Sequence, residues 1–282
     1  MLGLGLALSA SLGWGIADFL GGLQARRIAL LRVMVISQGL ALCVMLVIVA
    51  VRGSGPPAFS RVWPAAAGGL GGIAGLTAFY RALSIGKMSI VAPIAAIGVA
   101  IPVIVGIADG DHPATIQVLG IVAACIGVVL VSRETEHEPK SPGARATRIS
   151  IALALVAALG FGSLAVGLRS AARGDVLWAL TVARGVGVFV LLAAFLARRP
   201  PPERERIPYG VLALMGLLDL LANGLYAVAT RHGLLSIVAV GAAQYPLVTV
   251  MLARLVLHER VRRIQELGIV AAVAGVALIA AG

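Results

Sequence analysis

Long apolar runs, each about the length of a membrane-spanning helix, follow one another along the chain with short polar breaks between them. A helix needs about 20 apolar residues to cross a hydrocarbon core of about 30 Å. Ten runs of this kind occur, at about 3–23, 30–51, 64–84, 89–108, 115–132, 149–169, 176–197, 207–230, 234–255 and 264–281. The pattern therefore predicts an all-α integral membrane protein with ten transmembrane helices, which we call spans 1 to 10.

The second half of the sequence repeats the first. Three segments recur in order, the first two at an offset of 147 residues and the third at 148: Ala7–Gly15 at 154–162, Ser89–Ala92 at 236–239, and Leu119–Ala124 at 267–272. We predict a first five-helix repeat over 1–135, a linker over 136–148 and a second five-helix repeat over 149–282. Because five is odd, the second repeat enters the membrane from the opposite side. The predicted architecture is thus two inverted repeats, as in many secondary transporters.

The composition agrees with a protein surrounded by lipid. Of 282 residues, 60% are hydrophobic and 12% are charged, and the mean hydropathy is +1.02. Soluble domains are about half apolar and about 25% charged. These values exclude an ordinary soluble enzyme.

The formal net charge of +11 would suggest nucleic-acid binding in a soluble protein. Here most Lys and Arg residues fall in the loops that follow the odd-numbered spans. By the positive-inside rule these loops are cytoplasmic. This predicts a multi-pass protein of a bacterial-type inner (plasma) membrane with both termini outside, and no nucleic-acid partner.

Glycines mark places where predicted spans pack closely. The string over 68–75 contains the letters of a dinucleotide-binding loop, but no strand precedes it, so it predicts close helix packing instead. The pairs Gly120/Gly127 and Gly268/Gly275 predict the same packing between spans 5 and 10.

Three prolines lie inside predicted spans: Pro93 and Pro102 in span 4, and Pro246 in span 9. Each removes a backbone donor and frees a carbonyl one turn earlier. Two interpretations stay open, a fixed kink or a hinge at an unwound segment beside the substrate site.

These features resemble the drug/metabolite transporter superfamily, specifically its EamA-type ten-helix members. The resemblance covers nearly the whole chain and rests on Leu12-Gly13-Trp14-Gly15 with Phe19, on Gly160-Phe161-Gly162, and on Tyr245-Pro246-Leu247 with Glu259, Gly268 and Gly275. The first half has Asp111 where the family usually has glutamate. The resemblance implies a transporter of small metabolites or drugs, often an exporter of amino acids, with a cavity formed by the first four helices of each half.

Ionisable residues deep in apolar spans are the strongest candidates for function, because each is costly in lipid unless it is paired or faces a polar cavity. Asp18, Arg184 and Asp219 lie at such depth. Under the repeat alignment Asp18 faces Ala165 and Asp219 faces Gly72, so the two acids are not duplicated. Unique groups suit an asymmetric ligand, although a structural ion pair between Asp219 and Arg184 remains an alternative.

Polar and aromatic neighbours complete the candidate site. Asn223 and Tyr226 follow Asp219 at helical spacing, and Trp14 lies one turn before Asp18. Aromatic rings can stack on a ligand or cover a cation, and plain packing explains any one of them equally well. The predicted substrate-binding residues are Trp14, Asp18, Tyr80, Arg184, Asp219, Asn223, Tyr226, Gln244 and Tyr245.

We interpret the sequence as a secondary transporter that moves a small metabolite or drug by alternating access, with amino acids among the candidates and export the expected direction. No Walker loop, metal cluster or nucleophile–base set is recognisable, so no enzyme activity, cofactor or metal is predicted. The expected partners are the substrate, the bilayer and a proton as coupling ion at Asp18 or Asp219. Two alternatives stay open: a flippase-like protein for a polyprenyl lipid, and a non-transporting membrane subunit.

Overall fold

The computed structural model describes residues 1–86, 91, 94–131, 144–203, 206–257 and 263–282, and all regular structure in these ranges is helical. The elements are α1 (Leu2–Gln24), α2 (Leu30–Arg52), α3 (Phe59–Ile85), a 3-10 turn (Ile97–Val99), α4 (Ala100–Ala108), α5 (Thr115–Val131), α6 (Ala144–Ala172), α7 (Val176–Arg198), α8 (Tyr209–Ala229), α9 (Leu235–Ala242), α10 (Tyr245–Leu257) and α11 (Arg263–Ala281). The predicted features that lie outside the described residues are Ser89, Pro93, Glu259 and positions 136–143 of the linker.

Six helices are long and apolar enough to cross a membrane: α1, α2, α3, α6, α7 and α8. The stretches 94–108, 115–130, 235–249 and 266–281 are apolar but shorter. Large apolar side chains cover the outside, with Phe189 73%, Leu196 69% and Val270 65% exposed. Such a surface is stable in lipid and prone to aggregate in water. The molecule is a multi-pass membrane protein, and the count of ten crossings stays a prediction.

Most helices begin and end within two residues of the predicted spans, but two begin earlier. α3 begins at Phe59 rather than 64, and α6 at Ala144 rather than 149. The added turns carry Arg61 and Arg145. Hydropathy marks the part of a helix that lies in hydrocarbon, whereas the helix itself continues into the headgroup region.

Spans 4 and 9 are interrupted. Where the sequence predicted one helix over 234–255, the structure has α9 and α10, separated by a turn at Ala243 and Gln244. In span 4 the 3-10 turn Ile97–Val99 precedes α4. Ile97 and Gln244 are 147 residues apart, so the two interruptions fall at the same place in each half.

Glycines let the helices approach closely, as the sequence predicts. α3 and α6 make the most extensive contact between any two elements of the described ranges. A Cβ on Gly75 of α3 would lie 3.1 Å from Gly160 Cα of α6. On α5, a Cβ on Gly120 would lie 2.6 Å from the carbonyl oxygen of Gly275 on α11. Backbones this close tolerate only small residues at the interface.

Contacts between the halves recur at the repeat offset with the halves exchanged. The equivalent pairs are Gly13 with Ala222 and Gly160 with Gly75, Gly15 with Tyr245 and Gly162 with Gly98, and Gly216 with Ser37 and Gly69 with Ala183. In each pairing, a residue of the first half contacts the second half, and its counterpart in the second half makes the equivalent contact with the first half. Ser37 and Ala183 differ by 146 rather than 147, so Gln38 and Arg184, the next residues, are also counterparts.

Candidate functional site

A cavity lies between the two halves, lined by α1, α2, α3, α6, α7, α8 and the interrupted spans 4 and 9. The empty space inside it and at its mouth is about 1150 Å³. Of the predicted binding and hinge residues, it is lined by Trp14, Asp18, Arg184, Asp219, Asn223, Tyr226, Tyr245 and Pro102. Tyr80, Gln244 and Pro246 stand outside this lining.

Asp219 is held by three side chains. Arg184 Nη1 lies 2.5 Å from Asp219 Oδ2. Asn223 Nδ2, one turn along α8, donates to Asp219 Oδ1 at 3.1 Å. Gln38 Nε2 of α2 lies 3.4 Å from Asp219 Oδ2, and Gln38 Oε1 accepts a hydrogen bond from Arg184. The ion pair considered from the sequence is therefore present, and Gln38 ties it to the first half.

Asp18 has a different environment. It is 8% exposed, and its Oδ1 accepts a hydrogen bond of 3.3 Å from Tyr80 Oη of α3. Gly21 leaves room for the Tyr80 ring, since a Cβ there would lie 2.5 Å from Tyr80 Oη. Tyr80 thus supports Asp18 from outside the cavity lining. Within the described ranges, no Arg, Lys or His side chain forms an ion pair with Asp18.

Several buried polar atoms near the cavity lack a hydrogen-bond partner among the described residues: Tyr226 Oη, Tyr245 Oη, Asn223 Oδ1 and Gln244 Oε1. Buried polar atoms normally find a partner. Trp14 packs beside Tyr226 with ring centroids 5.9 Å apart. Aromatic side chains therefore form part of the wall, and side-chain oxygens without a partner are buried close to it.

The two candidate hinge prolines within the described residues each lie in the first turn of a helix that follows an interruption. Pro102 is the third residue of α4, is buried and lines the cavity. Pro246 is the second residue of α10, where a missing backbone donor is tolerated because the first turn has no intrahelical acceptor for it. The repeat counterpart of Pro246 is Val99, so paired prolines are not what interrupts both spans.

Ion pairs join the halves at both ends of α2 and α7. Arg52 Nη1 lies 2.7 Å from Asp175 Oδ2, and Arg32 Nε lies 3.4 Å from Glu203 Oε1. Asp175 also caps α7 by accepting from the backbone N–H of Trp178. Burial raises the pKa of Asp175, but the hydrogen bonds from Arg52 and the helix backbone outweigh it. The pKa of Asp175 therefore lies below its ordinary value.

Gln38 and Phe161 line the cavity and were not among the predicted binding residues. The signal for Gln38 was available, because an amide inside an apolar span needs a partner or a wet surface. A signal for Phe161 was available too, because it is the repeat counterpart of Trp14 and lies in the segment Gly160-Phe161-Gly162. Within the described ranges, no group of three or more His, Cys, Asp or Glu is placed to hold a metal ion.

Comparisons with known proteins give a family and a fold. The model of the EamA-like transporter family matches residues 1–133 and 148–281, once in each half. No curated protein matches the chain. A solved structure, titled only "Crystal structure of protein", superposes with a TM-score of 0.76 at 16% sequence identity, over 97% of this chain and 95% of the other. At that identity the likeness extends to the fold alone.

Proposed function

The chain belongs to the EamA-like transporter family, of the drug/metabolite transporter type, and we propose that it is a secondary transporter moving a small metabolite or drug by alternating access. The observation that carries the proposal is the cavity. It lies between the two family-matched repeats, and the mid-span charges Asp18, Arg184 and Asp219 all line it. A transporter must expose one site to each side of the membrane in turn, and a site between two halves opens when they rock against each other.

Two inverted halves are the proposed source of this motion. The contact between Gly13 and Ala222 recurs as the contact between Gly160 and Gly75. This supports a two-fold relation between the halves, because in an isologous interface each contact appears twice with the partners exchanged. With five spans in each half, over 1–135 and 149–282, the axis of that relation lies in the membrane plane. A contact that one half makes near one face of the membrane is then made by the other half near the opposite face.

The interruptions of spans 4 and 9 are the proposed hinges. Gly98 of the 3-10 turn and Ala243 of the second break both line the cavity. A locally unwound segment frees backbone groups for a ligand and bends more easily than a continuous helix. Pro102 and Pro246 adjoin these breaks, and we assign the hinge role to them.

Orientation and energetics complete the proposal. The Lys and Arg distribution supports cytoplasmic odd-numbered loops and external termini in the inner membrane. We propose export as the direction. We propose a proton as the coupling ion, carried by Asp18, which lines the cavity and has no ion-pair partner among the described residues. Reporter fusions that place the C-terminus inside the cell would contradict the orientation. Transport unaffected by a protonophore would contradict the coupling.

A cavity-blocking variant tests the central claim. Ala165 lines the cavity on α6, whereas Ala193 is exposed on the outside of α7. A thermal-shift screen of amino acids, organic cations and polyprenyl phosphates first identifies a ligand, and its exchange is then measured in proteoliposomes. We expect Ala165→Trp to abolish exchange and Ala193→Trp to leave it intact, with both variants monodisperse. Normal exchange by a folded Ala165→Trp variant would overturn the proposed route.

A further inference from the structure

The described lining of the cavity carries one more carboxylate than it has cations. Its charged members are Asp18, Asp219 and Arg184. Arg184 and Asp219 neutralise each other at 2.5 Å. Asp18 is left with the neutral hydroxyl of Tyr80 as its hydrogen-bond donor. When Asp18 is ionised, the cavity holds one uncompensated negative charge.

We propose that Asp18 is the counter-ion that determines specificity, and that the substrate is a singly charged organic ammonium with an apolar body. This inference rests on the proposed transport function and narrows its substrate class. An unpaired charge inside the membrane region is costly, and a bound monocation removes that cost at Asp18. An anion adds a second uncompensated charge, and a zwitterion leaves the imbalance as it was.

Asp219 has a different task, which is to lock α2, α7 and α8 together. Its Oδ2 is engaged by Arg184 and Gln38, and its Oδ1 by Asn223. A cation that bound there would have to displace the guanidinium of Arg184. The two mid-span acids therefore separate into a structural lock at Asp219 and an available carboxylate at Asp18.

Three lining residues hold buried oxygens without a hydrogen-bond partner, and a ligand that donates would satisfy them if their side chains turned toward the cavity. Asn223 Oδ1 is purely an acceptor, and the hydroxyls of Tyr226 and Tyr245 accept as well as donate. The amide nitrogen of Asn223 is committed to Asp219. An alkylammonium group carries up to three donors and no acceptor, which complements this set of oxygens.

The part of the lining that α6 contributes accounts for the apolar body. The lining residues of α6 are Phe161, Gly162, Leu164, Ala165 and Leu168, and none of them carries a charge or a polar side-chain atom. Ala165 is the repeat counterpart of Asp18. Trp14, one turn from Asp18 on α1, adds an aromatic surface of the kind that attracts cations. A ligand with its ammonium at α1 and its hydrocarbon part against α6 satisfies both sides.

Three probes with the same phenyl group test the charge selection: phenethylamine as cation, phenylalanine as zwitterion and phenylacetate as anion. Binding to the purified full-length protein is measured calorimetrically at one ionic strength. We expect phenethylamine to bind most tightly and phenylacetate least. Asp18→Asn should weaken phenethylamine binding on the order of tenfold to a hundredfold, the effect of one charge-assisted hydrogen bond. The matched control is Asp109→Asn, at the half-exposed end of α4, which should leave the affinity unchanged.

Each other outcome has a defined meaning. Tighter binding of phenylalanine or phenylacetate, equal binding of phenethylamine to wild type and Asp18→Asn, or no binding of phenethylamine would overturn the inference. If Asp18→Asn does not fold, the order of the three probes on the wild-type protein decides. The transport proposal is tested separately, by the exchange activity of the Ala165→Trp variant.

Discussion

The two halves of the molecule agree in how they pack and differ in what they carry. A Cβ on Gly15 would lie 2.8 Å from the carbonyl oxygen of Tyr245, and a Cβ on Gly162 would lie 2.8 Å from that of Gly98. The mid-span acids show no such duplication, since Asp18 has Ala165 as its counterpart. Packing positions are held to small residues in both halves because any side chain there would part the helices. Charges are free to differ, and a ligand without two-fold symmetry requires that they do.

Asp219 and its counterpart Gly72 show how the difference arises. A Cβ on Gly72 would lie 2.8 Å from Leu164 Cδ2, so a side chain at this position of the first half would have to displace Leu164. In the second half, Asp219 at the same position accepts a hydrogen bond from Gln38 of the first half. Gln38 in turn accepts a hydrogen bond from Arg184 of the second half. One half therefore uses this position for close packing, and the other uses it for a polar connection.

The largest effect is expected from breaking the shared packing. In Gly160→Leu and its counterpart Gly13→Leu, the new side chain would collide with the backbone of α3 or α8, and we expect loss of monodisperse protein in both. Gly39→Leu is the matched control, because a Cβ on Gly39 meets nothing within 4 Å. Size-exclusion profiles and melting temperatures in detergent provide the measurement. A well-folded Gly160→Leu variant would refute the role given to these glycines.

The next effect concerns the polar connection found in one half. Arg184→Met leaves the carboxylate of Asp219 without its cation, and Asp219→Leu leaves the guanidinium of Arg184 without its anion. Each variant should therefore lower the free energy of unfolding by about 3–5 kcal/mol. The double variant removes both charges and should recover most of the loss. Thermal or denaturant unfolding of the full chain measures all three. If the double variant loses the sum of the two single losses, the two residues do not act as a pair.

Most of the helical framework could be predicted from the sequence, because hydropathy and repeat spacing are local properties. The bounds of α2, α7 and α11 follow the predicted spans within one residue. A break in span 9 was one of the two interpretations left open at Pro246, but its position could not be predicted, since Ala243 and Gln244 carry no breaker of their own. The candidate acids were found from their depth, but what each contacts depends on long-range packing. Tyr80, a predicted substrate-binding residue, is one case: it hydrogen-bonds Asp18 and stands outside the cavity lining, and neither feature could be predicted from the sequence.

A smaller effect is expected at Asp111, where one half anchors the broken span of the other. Asp111 Oδ2 accepts from the backbone N–H of Ser236 at 2.9 Å and from its hydroxyl at 3.0 Å, near the start of α9. Asp111→Ala leaves the buried backbone N–H without its acceptor and should lower stability by about 1–3 kcal/mol. Ser236→Ala keeps that backbone bond and should cost less. Melting temperatures that rank these two variants in the reverse order would contradict the anchoring role.

The smallest effect tests how the two halves cap their equivalent helices α2 and α7. Asp175 caps α7 with its own side chain, whereas its counterpart Ala29 has none, and the Ala29 N–H donates to Glu203 of the other half at 2.9 Å. Asp175→Ala should cost about 1 kcal/mol. Asp175→Asn keeps a capping oxygen and loses the exposed pair with Arg52, and so should cost less than about 1 kcal/mol.

The sign of the pH effect follows from the pKa of Asp175, which lies below its ordinary value of 3.8 in the folded chain. Its contribution is complete above that ordinary pKa and is lost as the pH falls through the lower folded value. The wild-type advantage over Asp175→Asn in melting temperature should therefore shrink between pH 5 and the acid limit of folding. At the other end of α2, Glu203→Gln retains an oxygen for the Ala29 N–H and should differ little from wild type. A loss at Glu203→Gln larger than that at Asp175→Ala would mean that the acid supplied from the other half contributes more through its charge than through capping.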